Sequence, residues 1–88
     1  MKPYNWNFQK NIWLKENRKI SFEEVILAIA QHHLKDVYEH PNQIKYPGQK
    51  IYEVEISNFV FLIPFIESDD ELFLKTIIPS RKATKKHK

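Results

Sequence analysis

Cationic side chains crowd both ends of this 88-residue chain. Residues 1–20 carry Lys2, Lys10, Lys15, Arg18 and Lys19 against Glu16 alone. The last eight, RKATKKHK, carry Arg81, Lys82, Lys85, Lys86 and Lys88 with nothing opposing them. Between these segments, residues 21–80 set four lysines against ten carboxylates, so a formal net charge of +3 hides a basic–acidic–basic layout. If folding joins the two ends, they form one positive face, and such a face attracts polyanions. A frayed, lysine-rich terminus that only aids solubility is the plainer account of the last four residues.

Other reactive types are sparse. The chain has no cysteine, which excludes disulfides, thiolate zinc sites and cysteine nucleophiles. His32, His33, Asp36 and His40 follow no regular ligand spacing, and adjacent histidines point in different directions, so no metal is expected. Asp69, Asp70 and Glu71 read as a solvated hairpin tip in preference to a hard-cation site. No glycine-rich phosphate loop or nucleophile elbow is present, and no cofactor is expected. Trp6 and Trp13 have the faces to stack on bases, but burial against a sheet is the simpler expectation.

These residues need elements to hold them. At 10.7 kDa, 42% hydrophobic and 28% charged, the composition describes one folded domain over residues 1–88. No apolar run reaches the roughly 18 residues of a membrane helix, and MKPYNWNFQK lacks the apolar centre of a secretory signal. A cytoplasmic protein without membrane contact is expected.

Ser21 and Glu24 stand at capping-box spacing, with Ile20 and Val25 placed as a hydrophobic staple. Phe22, Val25, Ile26, Ile29 and His33 then recur on one helical face, predicting a helix over about residues 22–32. Phe8, Ile12 and Trp13, with Asn7 as cap, predict a shorter one over about 8–18. The period then drops to two. Tyr52, Val54 and Ile56 alternate with Glu53 and Glu55, a half-buried strand preceded by a Pro47-Gly48 turn. Ser57-Asn58 closes a hairpin into NFVFLIPFI, a central strand in which Pro64 marks a bulge or an end. LFLKTIIP is expected to return as a third long strand after the SDDE turn, and KDVYEH, about 35–40, as a shorter edge. The fold class expected is α+β: two N-terminal helices on a small antiparallel sheet of three to four strands, with a basic tail over about 81–88.

This order, with Trp6, Lys10-Asn11, Arg18-Lys19, Ile20-Ser21-Phe22-Glu23-Glu24 and the closing KTIIPSRKATKK, resembles the BrnT family of toxins in the RelE-like superfamily. Where that family has glycine this chain has Lys19, and where it tends to have arginines on strands this chain has Lys50 and Lys75. The resemblance implies a RelE-like fold and the toxin of a type II toxin–antitoxin module. Its activity would be metal-independent cleavage of mRNA, arresting translation. Its partner would be a cognate antitoxin, usually a ribbon-helix-helix DNA-binding protein, with operator DNA reached only through the complex.

RNA cleavage through the 2′-hydroxyl needs a proton acceptor, positive charge on the phosphorane and a proton for the leaving oxygen. RelE-like toxins lean on clustered Arg and Lys for the second. By that resemblance the catalytic group here is Arg81, Lys50 and Lys75 with Glu53, and the RNA-binding group is Lys82, Lys85, Arg18 and Lys19. The plainer accounts are an exposed edge for Lys75 and a helix start or antitoxin contact for Arg81-Lys82. The base is left open among His33, Glu53, Glu55 and Tyr52. His33 continues an apolar stripe and so reads as a core or cap residue, and the two glutamates read as a solvated face. Lysine lacks arginine's bidentate fork. That favours the alternative, a non-nucleolytic protein of the same fold that inhibits DNA gyrase or serves only as an antitoxin partner.

Overall fold

Side-chain caps start both long helices. In the computed structural model, which describes residues 2–87, α1 spans Phe8–Arg18 and α2 spans Phe22–Ala30. Asn7 Oδ1 accepts the Lys10 amide at 2.9 Å. Ser21 Oγ accepts the Glu24 amide at 3.2 Å while Glu24 Oε2 accepts the Ser21 amide at 2.9 Å, completing the reciprocal box. Lys19 ends α1 in the left-handed region at φ 56°, the conformation glycine adopts without strain. α2 stops two residues earlier than its stripe predicts, because His32 turns to φ 68°. His33 is consequently exposed and belongs to no helical face.

Six strands follow the expected α+β class but exceed the expected sheet. β1 is Tyr4–Trp6, β2 Leu34–Glu39, β3 Gln49–Ile56, β4 Phe59–Glu67, β5 Leu72–Leu74 and β6 Ile78–Pro79. Their order is β1-β5-β4-β3-β2, with β6 also pairing β4. The sheet is mixed, because β1 runs parallel to β5. A purely antiparallel sheet of three to four strands is thus corrected. The β3–β4 turn has both Ser57 and Asn58 at positive φ, as a two-residue hairpin requires, and Gly48 at φ 75° fits the expected turn before β3.

Pro64 neither ends nor bulges β4; it pairs with Ile51 inside the ladder. Its carbonyl accepts the Lys75 amide at 2.8 Å, so its nitrogen faces the same side. That side is where β4 changes partner, from β6 at Phe61–Leu62 to β5 at Phe65–Glu67. No ladder donor is needed there. The same change of partner divides LFLKTIIP into β5 and β6.

The chain after Ser80 is also corrected, from tail to helix: α3 spans Arg81–Lys86. Ser80 Oγ accepts the Ala83 amide at 3.1 Å. Thr84 Oγ1 accepts the Val60 amide at 2.9 Å and donates to the Ser80 carbonyl at 2.7 Å, stitching α3 to β4.

Alternation along β3 assigns the two helical layers to opposite faces. Leu14, Phe22 and Val25 pack with Tyr52, Val54, Ile63, Phe65 and Leu74, forming the core under α1 and α2. Each such large side chain contributes about 1.5–3 kcal/mol by leaving water. Ile51 and Glu53 point the other way, and α3 covers that side with Ala83 buried. No helix among the described residues is long and apolar enough to cross a membrane.

Candidate functional site

Glu53 stands at mid-strand, beside Asp36 of β2 and Leu62 of β4, on the face under α3. It is only 3% exposed, which replaces the solvated face expected of it with a buried carboxylate. An isolated buried carboxylate is costly, so its partners matter. Tyr38 Oη donates to Glu53 Oε2 at 2.7 Å. Lys86 Nζ lies 3.1 Å from Oε1, and His87 Nε2 lies 2.7 Å from the same oxygen. Lys86 also reaches Asp36 at 3.6 Å.

The protonation states follow from these contacts. Burial pushes the Glu53 carboxyl up, but hydrogen bonds from Tyr38, His87 and Lys86 outweigh it and hold the group below its ordinary range. Burial, then the bond to Glu53, raises the Tyr38 phenol, which therefore stays protonated and donating. The bond to Glu53 raises Lys86 against the opposing effect of desolvation, keeping it charged. An ionised carboxylate only accepts, so the His87 proton facing it sits on Nε2. In the neutral ring this leaves the Nδ1 lone pair as the acceptor.

Beside this cluster is an open cleft of about 260 Å³ lined by Tyr38, Glu53, Leu62, Ser80, Lys82, Ala83 and Lys86. Lys82 and Lys86 are four residues apart and share one side of α3. The cleft thus combines a carboxylate, two ammonium groups and a phenol, and the imidazole of His87 is held beside it by Glu53. That set suits proton transfer beside an anionic centre. Among the described residues, no group of three His, Asp and Glu side chains forms a metal-ligand set.

The residues singled out from the sequence separate into three places. Glu53 is the buried centre of the cleft and Lys82 lines it, while Arg81 and Lys85 are exposed on the same helix. Lys50 lies on the opposite face, paired at 3.3 Å with Glu67, which also binds Lys2 at 2.8 Å. Lys75 follows β5 and places its ammonium 5.5 Å from the centre of the Phe73 ring. Arg18 donates to the Ile77 carbonyl at 2.7 Å and lies over Trp13, whereas Lys19 caps its own helix, donating to the Glu16 carbonyl at 3.3 Å. A single cradle containing all eight is not built, since α1 and α3 occupy opposite faces of one sheet.

Among the other candidate bases, Tyr52 is buried and stacked on Phe65 with centroids 4.0 Å apart, and Glu55 pairs with Lys35 at 3.2 Å. Trp6, half-buried in β1, stacks on Phe22 of α2, and Trp13 is 42% exposed, so neither indole is buried against the sheet as expected. Sequence reasoning missed Tyr38, Lys86 and His87. A usable signal was present: Ser80 is a cap residue at the head of RKATKK, and a helix there puts 82 and 86 on one side. No family model, curated protein or solved structure matches the chain.

Proposed function

We propose that this chain is the toxin of a type II toxin–antitoxin module, a metal-independent ribonuclease of RelE-like, BrnT-like type acting on mRNA in the cytoplasm. The single observation that carries the reading is the Glu53–His87 pair at 2.7 Å beside the Lys82–Lys86 side of α3. His87 Nδ1 takes the proton of an RNA 2′-hydroxyl, and the freed oxygen attacks the adjacent phosphorus. Lys82, Lys86 and Arg81 offset the charge gathering on the phosphorane. The P–O5′ bond breaks, Lys82 protonates the departing oxygen, and the products are a 2′,3′-cyclic phosphate and a 5′-hydroxyl. Glu53 acts as a positioning residue, holding the imidazole. Tyr38 fixes Glu53 in turn. The antitoxin, expected to be a ribbon-helix-helix protein, neutralises the toxin and carries the complex to operator DNA.

The test is incubation of RNA with purified wild-type and His87→Ala protein in excess chelator. Cleavage leaving cyclic phosphate ends, reduced about 10²-fold or more in the variant, supports the reading. A folded wild-type protein that leaves RNA intact overturns it. The location of Lys50 and Lys75 away from the cleft favours the second reading, a gyrase inhibitor or antitoxin partner without nuclease activity. Growth arrest with intact mRNA and accumulating DNA breaks on induced expression supports that one.

A further inference from the structure

A second groove lies away from the α3 cleft, between the outer side of α1 and the strand end at Phe73–Thr76. It is about 770 Å³, against about 260 Å³ for the α3 cleft, and is lined by Asn7, Gln9, Lys10, Trp13, Phe73, Lys75 and Thr76. No carboxylate lines it, and the first turn of α1 contains no acidic residue. Trp13 is exposed although Leu14 beside it is fully buried, so the core closes without the indole. Both aromatic rings carry cations. Lys10 Nζ sits 4.6 Å and Arg18 Cζ 5.2 Å from the Trp13 ring centre, and Lys75 Nζ 5.5 Å from that of Phe73.

We infer that this groove is a subsite for single-stranded RNA, in which unpaired bases stack on Trp13 and Phe73 while Lys10, Lys75 and Arg18 meet the flanking phosphates. The inference rests on the ribonuclease reading and adds to it the form of the substrate. Stacking on two protein rings requires bases free of a duplex, whose stacked pairs hide their faces. An acidic peptide satisfies the cations but has no planar group to take their place on the two rings. Arg18 ties the groove to the strand that leads into α3: it lies over Trp13 while donating to Ile77, and the chain runs from Ile77 through β6 to Arg81. At about 3.3 Å per residue this last stretch spans at most roughly 14 Å.

The test uses a fluorescein-labelled, fully 2′-O-methylated oligouridylate, which lacks the nucleophile and remains intact. Its anisotropy is titrated with wild-type protein, Trp13→Ala, Trp13→Phe, Lys75→Ala and the surface control Ile44→Ala, each checked by circular dichroism. Weakening by about tenfold in Trp13→Ala, retention in Trp13→Phe and in Ile44→Ala, and a smaller loss in Lys75→Ala support the subsite. Binding by Trp13→Ala as tight as wild type overturns the groove while leaving the ribonuclease reading to its own cleavage assay. Equal, Trp13-dependent binding of oligoglutamate also overturns it, in favour of a peptide site. A wild-type protein that neither binds the oligonucleotide nor cleaves unmodified RNA overturns both.

Discussion

His87 Nε2 lies 2.7 Å from Glu53 Oε1, joining the residue after α3 to the middle of β3. The pair explains why a charged side chain sits at an interior strand position: the carboxylate is the anchor for Tyr38, Lys86 and His87 together. Glu53→Ala removes that anchor and leaves the half-buried Tyr38 and His87 donors without that partner. The expected loss is about 1–3 kcal/mol, read as a lower midpoint in urea unfolding. Glu53→Gln keeps the volume and should lose less.

The same carboxylate gives a signed pH dependence. Its folded pKa is depressed, so its contribution is fully present above the unfolded value of about 4.3 and is lost as pH falls through the lower folded value. Lys86 is raised and behaves oppositely, its share being lost as pH rises through the folded value, above the ordinary lysine range. Glu23 and Glu67 are also depressed, so the wild type alone does not isolate Glu53. The stability difference between wild type and Glu53→Gln does. It should be largest near neutrality and shrink in acid; a difference independent of pH would contradict an ionised Glu53.

Thr84 controls whether α3 stays on the sheet. Its hydroxyl accepts the buried Val60 amide, so Thr84→Val leaves that amide without a partner in nearly the same volume. A cost of about 1–3 kcal/mol is expected. Hydrogen exchange at the Val60 amide should accelerate more than exchange at Val25 in α2. Equal change at both sites would mean that α3 does not unfold locally.

Local chemistry made much of this fold legible. Asn7 and the Ser21–Glu24 box mark the helix starts, Ser57-Asn58 marks the hairpin, and alternation at Tyr52, Val54 and Ile56 identifies the inner face. What escaped depends on distant partners. β1 is three residues long and exists by pairing Tyr4 with Leu72, which no local period announces. The split of β5 from β6 depends on which strand β4 meets on either side of Pro64. α3 reads as a solvated run because only Ala83 and Thr84 are buried, too few for an amphipathic stripe. The site inherits that error: Glu53 was legible as a carboxylate, but its burial and its link to His87 required α3 to fold back over β3.

Lys19 offers a gain in stability. At φ 56° its Cβ crowds the backbone, a strain of roughly 1–2 kcal/mol that glycine avoids. Among the described residues its ammonium reaches only the Glu16 carbonyl, at 3.3 Å on the surface. Lys19→Gly should therefore stabilise the protein by about 1 kcal/mol after the greater chain entropy of glycine is counted, raising the melting temperature by about 4–8 °C. An unchanged or lower melting temperature would place the strain elsewhere.

Lys50 and Lys82 distinguish the catalytic group expected from the sequence from the one the fold assembles. Lys50 shares the Tyr52 side of β3 and pairs with Glu67, whereas Lys82 lines the cleft on the Glu53 side. Glu67 offsets the charge of Lys50, and on the far face of the sheet Lys50 makes no contact with a phosphate bound under α3. In the chelator assay, Lys82→Ala is expected to lower the RNA cleavage rate about 10²-fold and Lys50→Ala less than about twofold. Lys50→Ala should act on stability instead, through the freed Glu67, and only weakly because that pair is at the surface. The reverse ranking would move the reaction to the opposite face of the sheet and leave the Glu53–His87 pair a structural tie for α3.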